Sequence, residues 1–175
     1  MMKMNSEQSE EHREWPLGIT LEWEMRSFFK PTDWNLRFHN EVIASLRARS
    51  RFGKSFEGSY LTNKVRLDYR PSDDRVSFSS LEDGVEMGII VRLMTSHESK
   101  ICLSNGRKYS IRHEKRGYVF NDEEGNDLAL TTFNNMTTPM RSTFTLLELP
   151  VKSEIHPYLI ALLSHYYAIK SGSGY

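Results

Sequence analysis

The chain has 175 residues, of which 38% are hydrophobic and 26% charged, long enough for one domain with a real core and too short to divide comfortably into two. Its formal net charge of zero excludes a global bias toward nucleic acid or acidic partners. The single cysteine, Cys102, excludes an internal disulfide and fits a reducing, cytoplasmic compartment.

Residues 1–15 are polar, carry Glu7, Glu10, Glu11 and Glu14, and lack the apolar stretch of a signal peptide, so they read as a disordered leader. The domain is expected over residues 16–170, with 171–175 as a flexible tail. Strict alternation then begins. Ile19, Leu21, Trp23 and Met25 are apolar while Thr20, Glu22, Glu24 and Arg26 are polar, the period-two mark of a half-buried strand. Trp34, Leu36 and Phe38 alternate with Asn35, Arg37 and His39. Val42, Ala44, Leu46 and Ala48 alternate with Ser45, Arg47, Arg49 and, further on, Arg51. Segment 52–61 is less regular and is expected to hold a short helical turn. Val65, Leu67 and Tyr69 resume the pattern, and Val85, Met87, Ile89, Val91 and Leu93 continue it.

The dipeptides Asp83-Gly84 and Asn105-Gly106 accept the positive φ of tight type I′ hairpins. Residues 121–127 form a looser acidic turn between Tyr118–Phe120 and Leu128–Leu130, and a last strand is expected from Ser142 to Leu149. The count is about ten or eleven strands in up-and-down order with short loops.

The final element differs in kind. A helix is expected to start near Ser153 or Glu154, with Pro157 in its first turn, and over residues 155–169 it is apolar on every side. Such a helix is either buried or in a membrane. About 15 residues rise only ~22 Å, short of the ~30 Å hydrocarbon core, so no transmembrane segment is expected. A strand of about seven residues covers ~23 Å, so helix and strands match in length, as they would in a sheet curled round the helix. Ala44, Ala48 and Ser50 on inward positions would give it room.

In this order of features the chain resembles the tubby C-terminal-like superfamily, which includes the LURP-one-related proteins and the phospholipid scramblases. The likeness runs over residues 20–170. It rests on VIASLRARSRFGKSF (42–56), ICLSNGRKYSI (101–111), YVFNDEEGNDLAL (118–130) and HPYLIALLSHYYAI (156–169). The resemblance implies a mainly β fold: a closed antiparallel barrel of about twelve strands wrapped around a buried C-terminal hydrophobic helix. It also implies association with membrane lipids or regulation at membranes.

Catalytic chemistry is hard to find. The six histidines and Cys102 show no zinc-ligand spacing, His165 reads as a core histidine and Cys102 as a buried, inert strand thiol. Asp122, Glu123, Glu124 and Asp127 fail the EF-hand spacing and read as a solvated turn. No catalytic residue, metal or cofactor is expected. The basic run is the feature with content. Arg47, Arg49 and Arg51 fall on one side of a strand, and Lys54, Lys64 and Arg66 widen them into a candidate anion-binding patch. The competing reading is a solvated outer face in which these arginines pair with Glu22 or Glu24.

Two function classes follow. One is a non-catalytic binding or regulatory module, peripheral to a membrane, that touches anionic lipid or a protein partner. The other is a lipocalin-like small-ligand barrel or an enzyme with an internal cavity. Nucleic acid is not expected, because the basic strands lack interleaved aromatics.

Overall fold

Period-two alternation becomes twelve strands in the computed structural model, which describes residues 17–26, 33–50, 54–91, 97–115, 117–134, 141–150 and 155–172. In chain order they are β1 (Thr20–Met25), β2 (Asp33–Phe38), β3 (Glu41–Ala48), β4 (Ser55–Tyr60), β5 (Asn63–Arg70) and β6 (Arg75–Ser80). Then come β7 (Glu86–Val91), β8 (Glu98–Leu103), β9 (Lys108–Glu114), β10 (Gly117–Asn121), β11 (Asp127–Asn134) and β12 (Arg141–Leu146). Each pairs antiparallel with the next, and β12 returns to β1 in a register running from Thr20 opposite Thr145 to Trp23 opposite Ser142. The sheet closes into a barrel, which removes every free strand edge.

The helix α1 (Pro157–Gly172) runs inside. Ile160, Ala161, Leu162, Leu163, His165, Tyr166 and Ala168 are 0% exposed, so no side of the helix meets solvent. Its aromatic neighbours come from round the barrel: Trp23 of β1, Trp34 of β2, Phe56 of β4 and Tyr118 of β10. Gly58 of β4 shows how close the fit is. A Cβ there would lie 2.3 Å from Leu162 Cδ1, so the helix passes where only a hydrogen fits.

The helix begins at Pro157; Ser153 and Glu154, where a start was expected, lie outside the described residues. His156 caps it. Its carbonyl accepts the Leu159 and Ile160 N–H groups at 3.0 and 3.1 Å, and its Nδ1 accepts the Tyr158 N–H at 3.1 Å. Proline suits the position after a cap, where its missing N–H costs nothing. The end of the barrel where β1 begins, β12 finishes and the helix starts is called the lower end. Lys170 reaches the upper end, over the rings of Phe56 and Tyr69 at 5.8 and 5.3 Å.

Several local expectations are corrected. Segment 55–60 is strand β4 and not a helical turn. The last strand stops at Leu146. Between β2 and β3 the register skips Ile43, so Ile43 turns inward and Val42, expected inside, is exposed. Between β6 and β7 it skips Met87, and the inward pair becomes Gly88 and Ile90 in place of Val85, Met87, Ile89 and Val91; Leu93 lies outside the described residues. Ile19 lies beyond the barrel wall and is exposed. Neither predicted type I′ turn forms: at 83–84 and 105–106 only the glycine has positive φ. The hairpin with two consecutive positive-φ residues is His39-Asn40, read from sequence as a strand end.

Candidate anion-binding surface

A filled interior leaves the outside of the wall for binding. On β2 to β5 the outward side chains form two cross-strand rows. Asn35, Ser45, Ser59 and Lys64 stand opposite one another in the lower row, and Asp33, Arg47, Glu57 and Arg66 in the upper. The lower row is short in the middle, where the Ser45 and Ser59 hydroxyls bond at 2.5 Å. Longer side chains, Arg26, Arg47 and Lys64 among them, rise around it and enclose an open hollow of roughly 180 Å³.

The upper row alternates in sign, and its charges pair. Arg47 Nε lies 3.3 Å from Asp33 Oδ1, Arg49 Nε 3.2 Å from Glu57 Oε1, and Arg66 Nε 2.9 Å from Asp68 Oδ2. The sequence reading named Glu22 or Glu24 as partners; Glu24 instead holds Arg37 at 3.0 Å. The structure therefore brings Arg47, Arg49, Lys54, Lys64 and Arg66 to one side of the barrel and gives each of these three arginines a carboxylate. Arg51 lies outside the described residues. Lys54 and Lys64 are exposed. Ser50, expected to face the helix, instead accepts the Lys54 and Ser55 N–H groups at 2.9 and 3.1 Å in the turn.

Sequence reasoning missed Arg26, Asp33, Asn35, Ser45 and Ser59 as members of this surface. Ser45 lies on β3 two residues before Arg47, while Asp33 and Asn35 come from β2, Ser59 from β4 and Arg26 from the end of β1, and only the register brings these together. No family model matches the chain, and no curated protein or solved structure matches it.

The remaining candidates resolve simply. Cys102, expected to be buried, is only partly buried, on the outer wall of β8. The acidic turn is tied internally: Asp122 accepts both the backbone and side-chain N–H of Asn126, at 2.8 and 2.9 Å, and Glu123 accepts the Lys108 N–H at 2.9 Å. Among the described residues no group of three or more His, Cys, Asp and Glu side chains is placed to hold a metal. No helix among them is long and apolar enough to cross a membrane.

Inside the barrel, His165 lies flat on Trp23, ring centroids 4.2 Å apart, with the Trp34 ring edge-on at 4.8 Å. Its Nδ1 meets the Ser142 hydroxyl at 2.8 Å, while Nε2 has no hydrogen-bond partner in the protein. Burial holds its pKa well below the ordinary histidine value, so the ring is neutral. It is a core residue.

Proposed function

We propose that the protein is a non-catalytic binding module of tubby-like architecture that associates weakly with anionic lipid headgroups through the β2–β5 outer wall. The observation that carries this reading is the hollow. It sets the guanidinium groups of Arg26 and Arg47 and the ammonium of Lys64 beside two hydroxyls and an amide, donors suited to a phosphate, with the carboxylates of Asp33 and Glu57 also in its lining. Lys54 and Arg49 stand nearby, and with Arg66 and the three bases of the hollow they outnumber Asp33, Glu57 and Asp68.

The carboxylates that pair with Arg47, Arg49 and Arg66 compete with lipid phosphate for them. All of these arginines are about half exposed, and exposed pairs contribute only ~0–1 kcal/mol each. A basic group beside an anionic bilayer gains roughly 1 kcal/mol. Exchange of one partner for the other is thus close to balanced, and the surplus of bases supports weak, salt-sensitive association. The resemblance to membrane-associated tubby-like proteins points the same way. A lumen for a small substrate is disfavoured by the helix, whose side chains occupy the barrel axis.

The test is co-sedimentation with vesicles of anionic or zwitterionic lipid, comparing wild type with Arg47→Glu/Arg49→Glu/Arg51→Glu and with Lys54→Glu/Lys64→Glu. Binding to anionic vesicles alone, lost in both variants and at high salt, is expected. Equal sedimentation of all three proteins, or none at low salt, would dispose of the reading.

A further inference from the structure

The two ends of the barrel differ in chemistry. Among the described residues, every large apolar side chain that is exposed lies at the lower end, at 37–60% exposure. Leu17 and Ile19 lead into β1, Leu147 and Leu149 follow β12, Val42 opens β3, and Leu81 and Val85 flank the β6–β7 turn. The same end is acidic. Its described connections carry Glu82, Asp83, Asp122, Glu123, Glu124 and Glu148 against Arg107. The upper connections have the opposite bias, with Arg26, Arg49, Lys54 and Lys115 against Asp73 and Asp74.

The apolar residues are densest at the β1–β12 seam, and there the backbone is fixed. Leu17 bridges to Leu146, the Gly18 N–H donates to the Leu146 carbonyl at 2.7 Å, and Leu147 and Glu148 both donate to the Leu128 carbonyl at 2.8 and 3.2 Å. A seam already ordered loses little entropy when something lies on it. Scattered exposed leucines need no explanation, but their confinement to one rim, interleaved with one sign of charge, marks an interaction surface.

We propose that the lower rim docks a cationic amphipathic protein segment, its apolar side packed on Leu17, Ile19, Leu147 and Leu149 and its lysines and arginines directed at the acidic turns. The sign of the charge selects this occupant. An anionic bilayer is repelled by carboxylates at this end. A second copy presents either the same acidic rim or its basic upper end, which shows no exposed large apolar side chain among the described residues. The chain's own leader has the wrong sign, with Glu7, Glu10, Glu11 and Glu14 against Lys3 and Arg13. A cationic amphipathic helix satisfies both requirements of the rim at once.

The probe is a fluorescent leucine/lysine peptide of about 16 residues, patterned as an amphipathic helix. Its controls are a serine/lysine peptide of equal charge and a leucine/glutamate peptide, each titrated against the full chain by anisotropy. Saturable binding of the leucine/lysine peptide alone is expected. Leu147→Ser/Leu149→Ser should weaken it about tenfold or more, from loss of two partly buried leucines. Glu124→Lys/Glu148→Lys, at exposed positions that leave folding intact, should weaken it similarly and flatten its salt dependence. The proposal is overturned by absent or non-saturating binding, by equal binding of the serine/lysine peptide, or by indifference to the charge-reversal variant. It is equally overturned if the wild type self-associates through this rim and the leucine variant is monomeric. None of these outcomes depends on the vesicle assay, whose described variant positions lie on the side wall and at the upper end.

Discussion

Gly58 offers the most direct test of a helix threaded through the barrel. Adding one methyl group there places Cβ 2.3 Å from Leu162 Cδ1 and 3.0 Å from its Cγ and Cδ2. Ordinary carbon contacts sit at about 3.5–4.0 Å, so one side chain must give by more than ~1 Å. Leu162 is 0% exposed on a helix packed on all sides, which leaves it little room to turn. Gly58→Ala should therefore cost about 1–3 kcal/mol through overpacking, in place of the ~0.5–1 kcal/mol gain alanine gives at an unstrained position. Leu162→Ala alone should cost about 2–5 kcal/mol by leaving a cavity. The double variant should be more stable than the sum of the two by about 1–2 kcal/mol, because alanine at 58 fills the space leucine vacates. Urea denaturation of the four proteins measures this cycle. A neutral or stabilising Gly58→Ala, with costs simply additive to Leu162→Ala, would mean that the helix does not pass β4 as described.

Leu162→Asp or Leu163→Asp should abolish folding, since either puts an unpaired carboxylate in the barrel core; a soluble, cooperatively melting variant would refute the burial. Stability should fall on acidification: burial lowers the pKa of His156 to about 4 and that of His165 well below normal, so the unfolded chain binds more protons below its pKa of ~6.5. The two histidines' contribution is thus full above pH ~6.5 and lost as pH falls toward 4, by roughly 3 kcal/mol at most for His156, and His156→Asn, which keeps a capping acceptor, should show a shallower acid slope in urea titrations. Purified protein should carry no stoichiometric metal or organic cofactor, which elemental analysis and an absorbance spectrum check.

What the sequence reveals and conceals follows from which interactions are local. Trp34, Leu36, Val65 and Leu67 point inward as their alternation requires, because a strand's side-chain period depends on nothing beyond its own backbone. The helix is equally legible, since fifteen or so residues apolar on all sides have few places to go. The bulges at Ile43 and Met87 are not, because each is a property of the register between two strands and reverses the parity of everything beyond it. Turn chemistry misleads for a related reason. The loop at Ser104–Arg107 uses its glycine alone at positive φ, while His39 and Asn40 take up the conformation expected of Asn-Gly pairs. The anion-binding candidate was half visible. Arg47 and Arg49 lie on one strand side as their spacing predicts, but Asp33 and Glu57, which pair with them, stand on flanking strands.

Net charge misleads in the same manner, and correcting it bears on function. Lysine plus arginine equals aspartate plus glutamate over the chain, which argues against any charged partner only if the charges are mixed in space. Closure of an up-and-down meander sorts the connections alternately to the two ends, so the composition of the even-numbered and odd-numbered turns becomes the composition of opposite poles. Here the lower turns are acidic and the upper ones lean basic. The field at each end is then that of the local cluster, because ~8–10 Å of screening in physiological salt is shorter than the ~20 Å length of the strands between them. With the helix occupying the axis, binding energy must come from the outer wall and the rims, and of these the lower rim is acidic while bases outnumber acids on the β2–β5 wall and among the described residues of the upper rim. If the side wall binds an anionic surface and the lower rim a cationic segment, as proposed above, the two would be held on one body at the same time, which is the arrangement an adaptor requires and an enclosed ligand carrier does not.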